Sequence, residues 1–267
     1  KQAHRFAQSR KSNGNHQITH FARHYVFHLI CTYQWSPEQI NGRLEHQCWH
    51  DVPSIERIYQ WVYADKKSGG DVHQHLRCQK QRRKRYASGQ QRRGLLSNRR
   101  DIDERPKSVE RRMHFGDFEG DTMIGRHHQG VLLTYCDRKT RLCILSAHTN
   151  RKAKIIADQS IAALRGYPVS SITFDNGKEF AEHVRIASVL NTDVYFAKPY
   201  ASWQRGSNEN MNGLIRQYFP KSMLLLNVTQ QETDAVAEKS NNRPRKILGF
   251  LTPLEVLSRN HTVALRT

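Results

Sequence analysis

The sequence predicts an α/β fold, a mixed sheet flanked by helices, preceded by an all-helical region. Three observations predict it: helical periodicity in the first part of the chain, alternating strand-like and helix-like stretches later, and a run of Lys and Arg between them. We therefore expect four parts: a helical region at 1–70, a basic linker or arm at 71–110, an α/β core at 111–225 and a C-terminal helical segment at 226–267.

The charge balance points to a polyanionic partner. The 267 residues include 43 Lys and Arg against 24 Asp and Glu, a formal net charge of +19. Nucleic acid is the first choice and an anionic membrane surface is the alternative. No apolar stretch approaches the roughly 18 residues of a spanning helix, and no signal-peptide pattern opens the chain. We therefore expect a soluble intracellular protein without a membrane partner.

The helical region contains short helices with clear start signals. Apolar positions recur at helical spacing over residues 20–33, and Ser36 and Ser54 are good N-caps for two further helices. The last of these places four apolar residues on one face: Ile55, Ile58, Tyr59 and Val62. The last two helices fit a helix-turn-helix with Ser54, Arg57 and Gln60 toward DNA, although periodicity favours a generic helical hairpin equally.

A strongly basic stretch follows the helices. Between Arg77 and Arg100 there are ten Lys or Arg and no acidic residue, while Gly and Ser disfavour a stable helix. Such a run stays extended unless phosphates neutralise it. A solvated linker is the simpler interpretation. The net charge favours an arm lying along a nucleic-acid backbone, with six contacts: Arg82, Arg83, Lys84, Arg85, Arg92 and Arg93.

The α/β core begins with three strands and continues with alternating helices. "HFGDFEGDTMIG", "GVLLTYCD" and "RLCILSAHT" predict strands joined by turns, which gives an antiparallel meander. The rest of the core alternates, which gives the order β-β-β-α-β-α-β-α. Its later elements are a helix, a strand ending in the turn "DNG", a helix at about 178–190, the strand "DVYFA" and a helix containing Glu209. A helix capped by Thr229 and a short last helix from Thr252 follow.

Three carboxylates stand in separate segments of this core. Asp121 lies in the first strand, Asp175 ends the fourth, and Glu209 opens the late helix. If they converge at one sheet edge they can hold two Mg²⁺ ions, because hard cations need oxygen ligands. Two ions about 3.5–4 Å apart support in-line displacement at phosphorus.

Spacing alone does not choose these three among the acidic residues. Asp117 and Glu119 alternate with Asp121 on one strand and so share its face. Glu179 rivals Asp175. A solvated surface carboxylate remains the ordinary interpretation of any one of them.

Four long motifs resemble one family. "HFGDFEGDTMIG", "TFDNGKEF", "KPYASWQRGSNENMNGLIRQYFPKS" and "NNRPRKILGFLTP" are similar to the catalytic domain of DDE transposases of the IS-thirty type of bacterial insertion sequence. "WSPEQINGRL", "YQWVYADK" and "NRRDIDERP" resemble that family's upstream region. The resemblance covers nearly the whole chain, in order, and implies a ribonuclease-H-like, retroviral-integrase-like core.

The resemblance also implies roles for individual residues. Asp121, Asp175 and Glu209 take the metal triad, with Asp121 bridging two Mg²⁺ ions (Mn²⁺ is the alternative). Arg216, seven residues beyond Glu209, takes the position of a basic residue that reaches DNA phosphate beside the metals. Further DNA contacts are expected at Lys198, Trp203, Arg205, Arg243 and Arg245. For Trp203 and Arg205, which lead into the late helix, the alternative role is to position Glu209.

Two departures from the family accompany these matches. Phe118 stands where many relatives have Trp, and "PKSMLLLN" is more apolar than usual, although neither touches the triad. The chain opens at Lys1, not Met. We expect a fragment or processed product, because the family carries a further N-terminal helix-turn-helix.

The function implied is DNA transposition. We expect binding to the double-stranded inverted-repeat ends of an insertion sequence, strand cleavage, and transfer of the 3′-hydroxyl to target DNA. We also expect a homodimer or higher oligomer on DNA, in the bacterial cytoplasm and associated with the nucleoid. The alternatives are a nuclease of the same fold that only cleaves, and a DNA-binding regulator with an inactive core.

Overall fold

The computed structural model describes residues 18–76, 96–199 and 201–264. The chain falls into two compact units, Lys1–Lys80 and Gln81–Thr267. The six predicted arm residues, Arg82, Arg83, Lys84, Arg85, Arg92 and Arg93, lie outside the described residues.

The first unit contains three α-helices and a 3₁₀ turn over its described residues: α1 (His20–Tyr33), α2 (Pro37–His46), α3 (Ile55–Lys67) and the turn Val72–His75. Ser36 and Gln39 form a reciprocal capping box, and the Ser54 hydroxyl accepts a hydrogen bond from the Arg57 N–H. The predicted N-caps are therefore confirmed.

The core of this unit is a small apolar cluster drawn from all three helices. Its fully buried members include Val26, Ile30, Ile40, Leu44, Ile58 and Val62. Ile55 and Tyr59, expected beside Ile58 and Val62, are 37% and 39% exposed. Fewer of the apolar residues on this face of α3 are thus buried than the sequence pattern predicted.

The second unit is built on a six-stranded mixed sheet. In chain order its strands are β1 (Arg100–Asp101), β2 (Asp117–Ile124), β3 (Val131–Asp137), β4 (Cys143–His148), β5 (Ser171–Phe174) and β6 (Asp193–Phe196). The spatial order is β1-β6-β5-β2-β3-β4. β2, β3 and β4 pair antiparallel, as predicted, whereas β5, β6 and β1 continue the sheet in parallel.

Helices cover both faces of this sheet. The helices of this unit are α4 (Lys107–Glu110), α5 (Ala153–Leu164), α6 (His183–Leu190), α7 (Gly206–Ile215), α8 (Gln230–Asn241) and α9 (Pro253–Ala264), of which α5 to α8 pack on the sheet. One buried cluster joins the sheet to α5 and α6, and another joins the opposite face to α7 and α8. This confirms the predicted fold class, a mixed sheet flanked by helices and preceded by a helical region.

Two segments bear on the predicted division of the chain. Within 71–110, expected to be a basic linker, β1 forms a parallel edge strand on β6. Within 226–267, the Asn241 side chain bonds both the N–H and the C=O of Cys143, at 2.7 and 2.9 Å, and so fastens α8 to β4. Both segments extend the sheet unit.

Over the ranges that the structure covers, no helix is both long enough and apolar enough to cross a membrane.

Candidate active site

The three acidic residues that share a face of β2 have different surroundings. The Asp117 carboxylate is buried and accepts a hydrogen bond at 2.6 Å from a serine hydroxyl of β5. Glu119 is fully buried, paired with Arg138, and accepts the N–H of Asn208 at 2.9 Å. The Asp121 side chain is 24% exposed. Asp121 is therefore the acid of this strand that a ligand can reach.

Asp175 lies beside Asp121 because their strands are parallel neighbours. The register pairs Asp117 with Ser171 and Glu119 with Thr173. Continuing it by two residues places Asp175 opposite Asp121. The sheet thus brings together the first two predicted triad residues.

The Arg205 guanidinium lies between these two carboxylates. Its Nη1 is 3.6 Å from Asp121 Oδ2 and its Nη2 is 3.7 Å from Asp175 Oδ2. Nη1 also donates to the carbonyl oxygen of Gly120 at 3.1 Å. The positive charge of Arg205 therefore faces the carboxylates of both Asp121 and Asp175.

Burial raises the pKa of Asp121 to about 6. The carboxylates of Asp175 and Glu179 raise this pKa as well, whereas Arg205 and the N–H of Thr122 lower it. In the folded protein Asp121 therefore titrates near neutral pH.

Glu179 belongs to the same group of acids. Its Oε1 accepts a hydrogen bond at 2.8 Å from the hydroxyl of Thr122, next to Asp121. A Cβ on Gly177 would lie 2.6 Å from the Glu179 carboxyl and 2.9 Å from Asp175 Oδ1. Only a glycine there leaves room for both carboxylates. The sequence offered Glu179 as a rival of Asp175, and the structure places both at one site.

Glu209 is exposed on the first turn of α7. One turn further along, the Asn212 amide donates to Asp121 Oδ2 at 2.9 Å, so this side of α7 adjoins Asp121. Among the described residues, no three acidic, His or Cys side chains are close enough to hold one ion. The three-carboxylate site with Glu209 therefore stays a prediction.

The start of α7 is fixed to the sheet by a buried network. Asn208 donates its N–H to Glu119 Oε2 and its side-chain amide to the Glu119 carbonyl oxygen, both at 2.9 Å. The Thr134 hydroxyl donates to Asn208 Oδ1 at 3.3 Å. A carboxylate at a helix N-terminus is favourable, so Glu119 holds the helix that carries Glu209. Sequence reasoning assigned Glu119 and Asn212 no role, although period 2 placed Glu119 on the face of Asp121.

Comparison with known proteins decides the family. The chain is 46% identical over 223 residues to the transposase for insertion sequence element IS4351 of Bacteroides fragilis, covering 83% of this chain and 68% of that protein. It is 36% identical over 241 residues to transposase InsI for IS30A of Escherichia coli K12, covering 85% and 62%. The chain belongs to the IS30 family of insertion-sequence transposases.

The chain spans about two thirds of the length of these IS30-family relatives. No protein-family model matches it. The catalytic core domain of BIV integrase is similar in structure at 17% identity, with 56% of this chain and 98% of that chain covered and a TM-score of 0.44.

Arg216 is held by the protein in this IS30-family chain. Its guanidinium donates to the carbonyl oxygens of Ile124, at 3.0 Å, and Phe219, at 3.3 Å. Burial lowers its pKa, against the opposing effect of the Asp121 carboxylate. These bonds fasten α7 to the end of β2, a structural role that the expected phosphate contact did not include.

The other residues expected to meet DNA differ in accessibility. Trp203 is 75% exposed, and Lys198, Arg57 and Gln60 are also exposed, although Lys198 is paired with Asp103. Exposure leaves these residues available to DNA.

Three further predicted contacts are engaged within the protein. Ser54 caps α3, and Arg245 donates to the Ser240 carbonyl oxygen at 2.9 Å. Arg243 is 2% exposed and donates to the Tyr218 hydroxyl at 3.1 Å, so its side chain is engaged within the protein and its DNA contact stays a prediction.

Proposed function

We propose that this chain binds the inverted-repeat ends of an insertion sequence and catalyses metal-dependent cleavage and transfer of DNA strands. The observation that carries the proposal is the pair Asp121, within β2, and Asp175, directly after the parallel strand β5, which face one cationic group. Membership of the IS30 family supports DNA as the substrate.

The donor set fits a divalent cation. Asp121 and Asp175 offer carboxylate oxygens to a common point already faced by a positive charge, and Mg²⁺ prefers such ligands, with Mn²⁺ as the alternative. Glu209, on the side of α7 next to Asp121, supplies the third carboxylate. When bound, two ions activate the attacking oxygen and stabilise the leaving oxygen.

The protein's own part is to hold these acids in place. Asn212 orients the Asp121 carboxylate, and the N–H of Gly177 donates to Asp175 Oδ1 at 2.9 Å. The Glu119–Asn208 network fixes the start of α7. Two of the three carboxylates, Asp121 and Asp175, are thus held in position before DNA arrives.

The DNA reaches this site along the basic arm. Arg99, within the predicted arm, donates to the side chain of Asn176, next to Asp175, and Asn176 donates to the Ala197 carbonyl oxygen at 2.6 Å. The end of the arm is thus tied to the acidic site. Extended Lys and Arg runs neutralise backbone phosphates without reading sequence.

Recognition of the inverted repeats falls to the helical unit. α2 and α3 are the candidate helix-turn-helix, and Arg57 and Gln60 are exposed on the second of these helices. Joining two element ends to target DNA calls for a homodimer or higher oligomer on DNA.

The test is a strand-transfer assay with Mg²⁺ and end-labelled candidate element ends. Asp121→Asn and Asp175→Asn should each lower transfer by more than about 100-fold, beyond the 10–100-fold cost of changing an outer-shell residue. Glu238→Gln, at an exposed acid on α8, is the matched control and should keep activity.

The products separate the alternatives. Shortened strands without longer ones would indicate a nuclease that only cleaves. Full activity in Asp121→Asn would contradict the metal site. DNA binding without any metal-dependent chemistry in the unaltered chain would favour a regulator.

A further inference from the structure

Arg205 is loosely held although it is nearly buried. Its side chain is 12% exposed, yet both carboxylates are beyond the 2.7–3.2 Å of a hydrogen bond, at 3.6 and 3.7 Å. Among the described residues its guanidinium makes one hydrogen bond, to Gly120, and its Nε is buried with no acceptor. The acids attract this arginine without binding it directly.

The neighbouring buried arginine shows what a permanent pair looks like in this fold. Arg138 bonds the Glu119 carboxylate directly and donates its Nε to the Val109 carbonyl oxygen at 3.1 Å. Both partners are buried. Arg138 is therefore part of the framework, whereas Arg205 neutralises charge at a site open to solvent.

Arg205 also lies two residues from an exposed aromatic side chain, on which a DNA base can stack. It ends the 3₁₀ turn Ser202–Arg205, whose Trp203 is 75% exposed, and directly precedes α7. A guanidinium pairs with a phosphate through two parallel hydrogen bonds. A DNA strand beside Trp203 would offer Arg205 a better partner than the two distant carboxylates.

We propose that Arg205 is a displaceable cation that occupies the metal-facing side of Asp121 and Asp175 until a DNA phosphate draws it away. The inference rests on the proposed metal-dependent function and deepens it. The metal ion and the Arg205 guanidinium compete for the same side of the two carboxylates. A DNA phosphate, in turn, competes with the carboxylates for the guanidinium. Displacement of Arg205 therefore adds to the positive coupling between DNA binding and metal binding.

Calorimetric titration of Mg²⁺ into the EDTA-treated full chain tests this without any turnover. Without DNA, Arg205→Gln should bind Mg²⁺ at least about tenfold more tightly than the unaltered protein, since no guanidinium has to leave. Arg185→Gln is the matched control, because Arg185 is an exposed arginine paired with Asp158 and Glu182. It removes the same charge and should stay within about twofold.

Element-end DNA supplies the second arm of the experiment. It should tighten Mg²⁺ binding to the unaltered protein by about fivefold or more, and this gain should be smaller in Arg205→Gln, in which only the DNA oxygens add to the metal site. Unchanged or weaker Mg²⁺ binding by Arg205→Gln without DNA would overturn the inference, as would a DNA effect of equal size in the two proteins.

Two further variants keep the outcomes distinct. Asp121→Asn should abolish Mg²⁺ binding; if it does not, the proposed metal site itself fails. If Arg205→Gln does not fold, Arg205→Lys replaces it and should tighten binding about two- to fivefold, because a point charge spans two carboxylates less well than a planar guanidinium. Affinity at or below that of the unaltered protein would again overturn the inference.

Discussion

Asp121 owes its properties to its position along β2. Two residues earlier, Glu119 is enclosed by Arg138 and Asn208, whereas Asp121 is near the surface and close to Asp175. Burial among like charges makes its ionised form unfavourable in the protein without metal. The same crowding gives a divalent cation a large gain in electrostatic energy.

The raised pKa of Asp121 predicts how the stability of the metal-free protein depends on pH. The ordinary value is 3.8 and the folded value about 6, so the folded state binds this proton more tightly than the unfolded state. The contribution of Asp121 to the free energy of unfolding is therefore greatest below about pH 4. It falls by about 2 kcal/mol as the pH rises to about 6. Urea unfolding in EDTA between pH 4 and 7 measures it.

Asp121→Asn is the control for this prediction. It lacks the titrating group, so the difference in unfolding free energy between the two proteins should change over the same pH range. A difference that stays constant from pH 4 to 7 would show that the Asp121 pKa is not raised.

Gly177→Ala should disturb the acids without unfolding the protein. Gly177 has an ordinary φ of −68°, so the backbone accepts Ala, but the new methyl would press on Glu179 and Asp175. We expect a stability change within about 1 kcal/mol and about tenfold weaker Mg²⁺ binding. Calorimetry and urea unfolding give the two values.

Gly166→Ala provides the comparison, because a Cβ there meets nothing within 4 Å. It should alter neither quantity appreciably. Equal Mg²⁺ affinities in the two glycine variants would contradict the crowding described around Gly177.

Helix α7 is where element geometry governs the site. It brings Asn212 to Asp121, carries Glu209 on its first turn, and is fixed by a buried bond network to β2. A shift of this helix would move the third carboxylate relative to the other two. Tertiary contacts, and not helix propensity, set its position.

Asn208→Ala should therefore cost more in activity than in folding. It removes the hydrogen bond from the Asn208 side chain to the Glu119 carbonyl oxygen and leaves the Thr134 hydroxyl without that acceptor. Urea unfolding should show a loss of stability of about 1–3 kcal/mol. Strand transfer, measured where the variant is fully folded, should fall by about tenfold or more.

The same substitution at Asn210, exposed on the same helix, controls for helix propensity. It should cost less stability than Asn208→Ala, because Asn210 is exposed and Asn208 is fully buried. Equal losses of stability at the two positions would argue against the network, and unaltered transfer by Asn208→Ala would show that α7 needs no such anchor.

At the level of the whole molecule, the sequence predicted what local patterns encode. N-caps at Ser36 and Ser54, the antiparallel meander and the helices on both faces follow from capping residues and periodicity. The sequence did not predict β1, because a strand of two residues is too short to show an alternating apolar pattern. The buried state of Arg243 was missed because it depends on α8 and the following turn packing on distant residues.

The site was predictable in part for the same reason. β2 and β5 are parallel neighbours, and their register places Asp121, within β2, opposite Asp175, the residue after β5. That Arg205 lies between them, and that Glu119 holds α7, depends on contacts across nearly a hundred residues of sequence. No local pattern reports such contacts.

Glu209 offers the most direct test, because it is the triad residue that stays exposed in the structure. Strand transfer by Glu209→Gln on element-end DNA with Mg²⁺ should yield no elongated strands, at least about 100-fold below the unaltered chain. Glu238→Gln should transfer normally. Elongated product from Glu209→Gln at the unaltered rate would contradict a three-carboxylate metal site in this transposase.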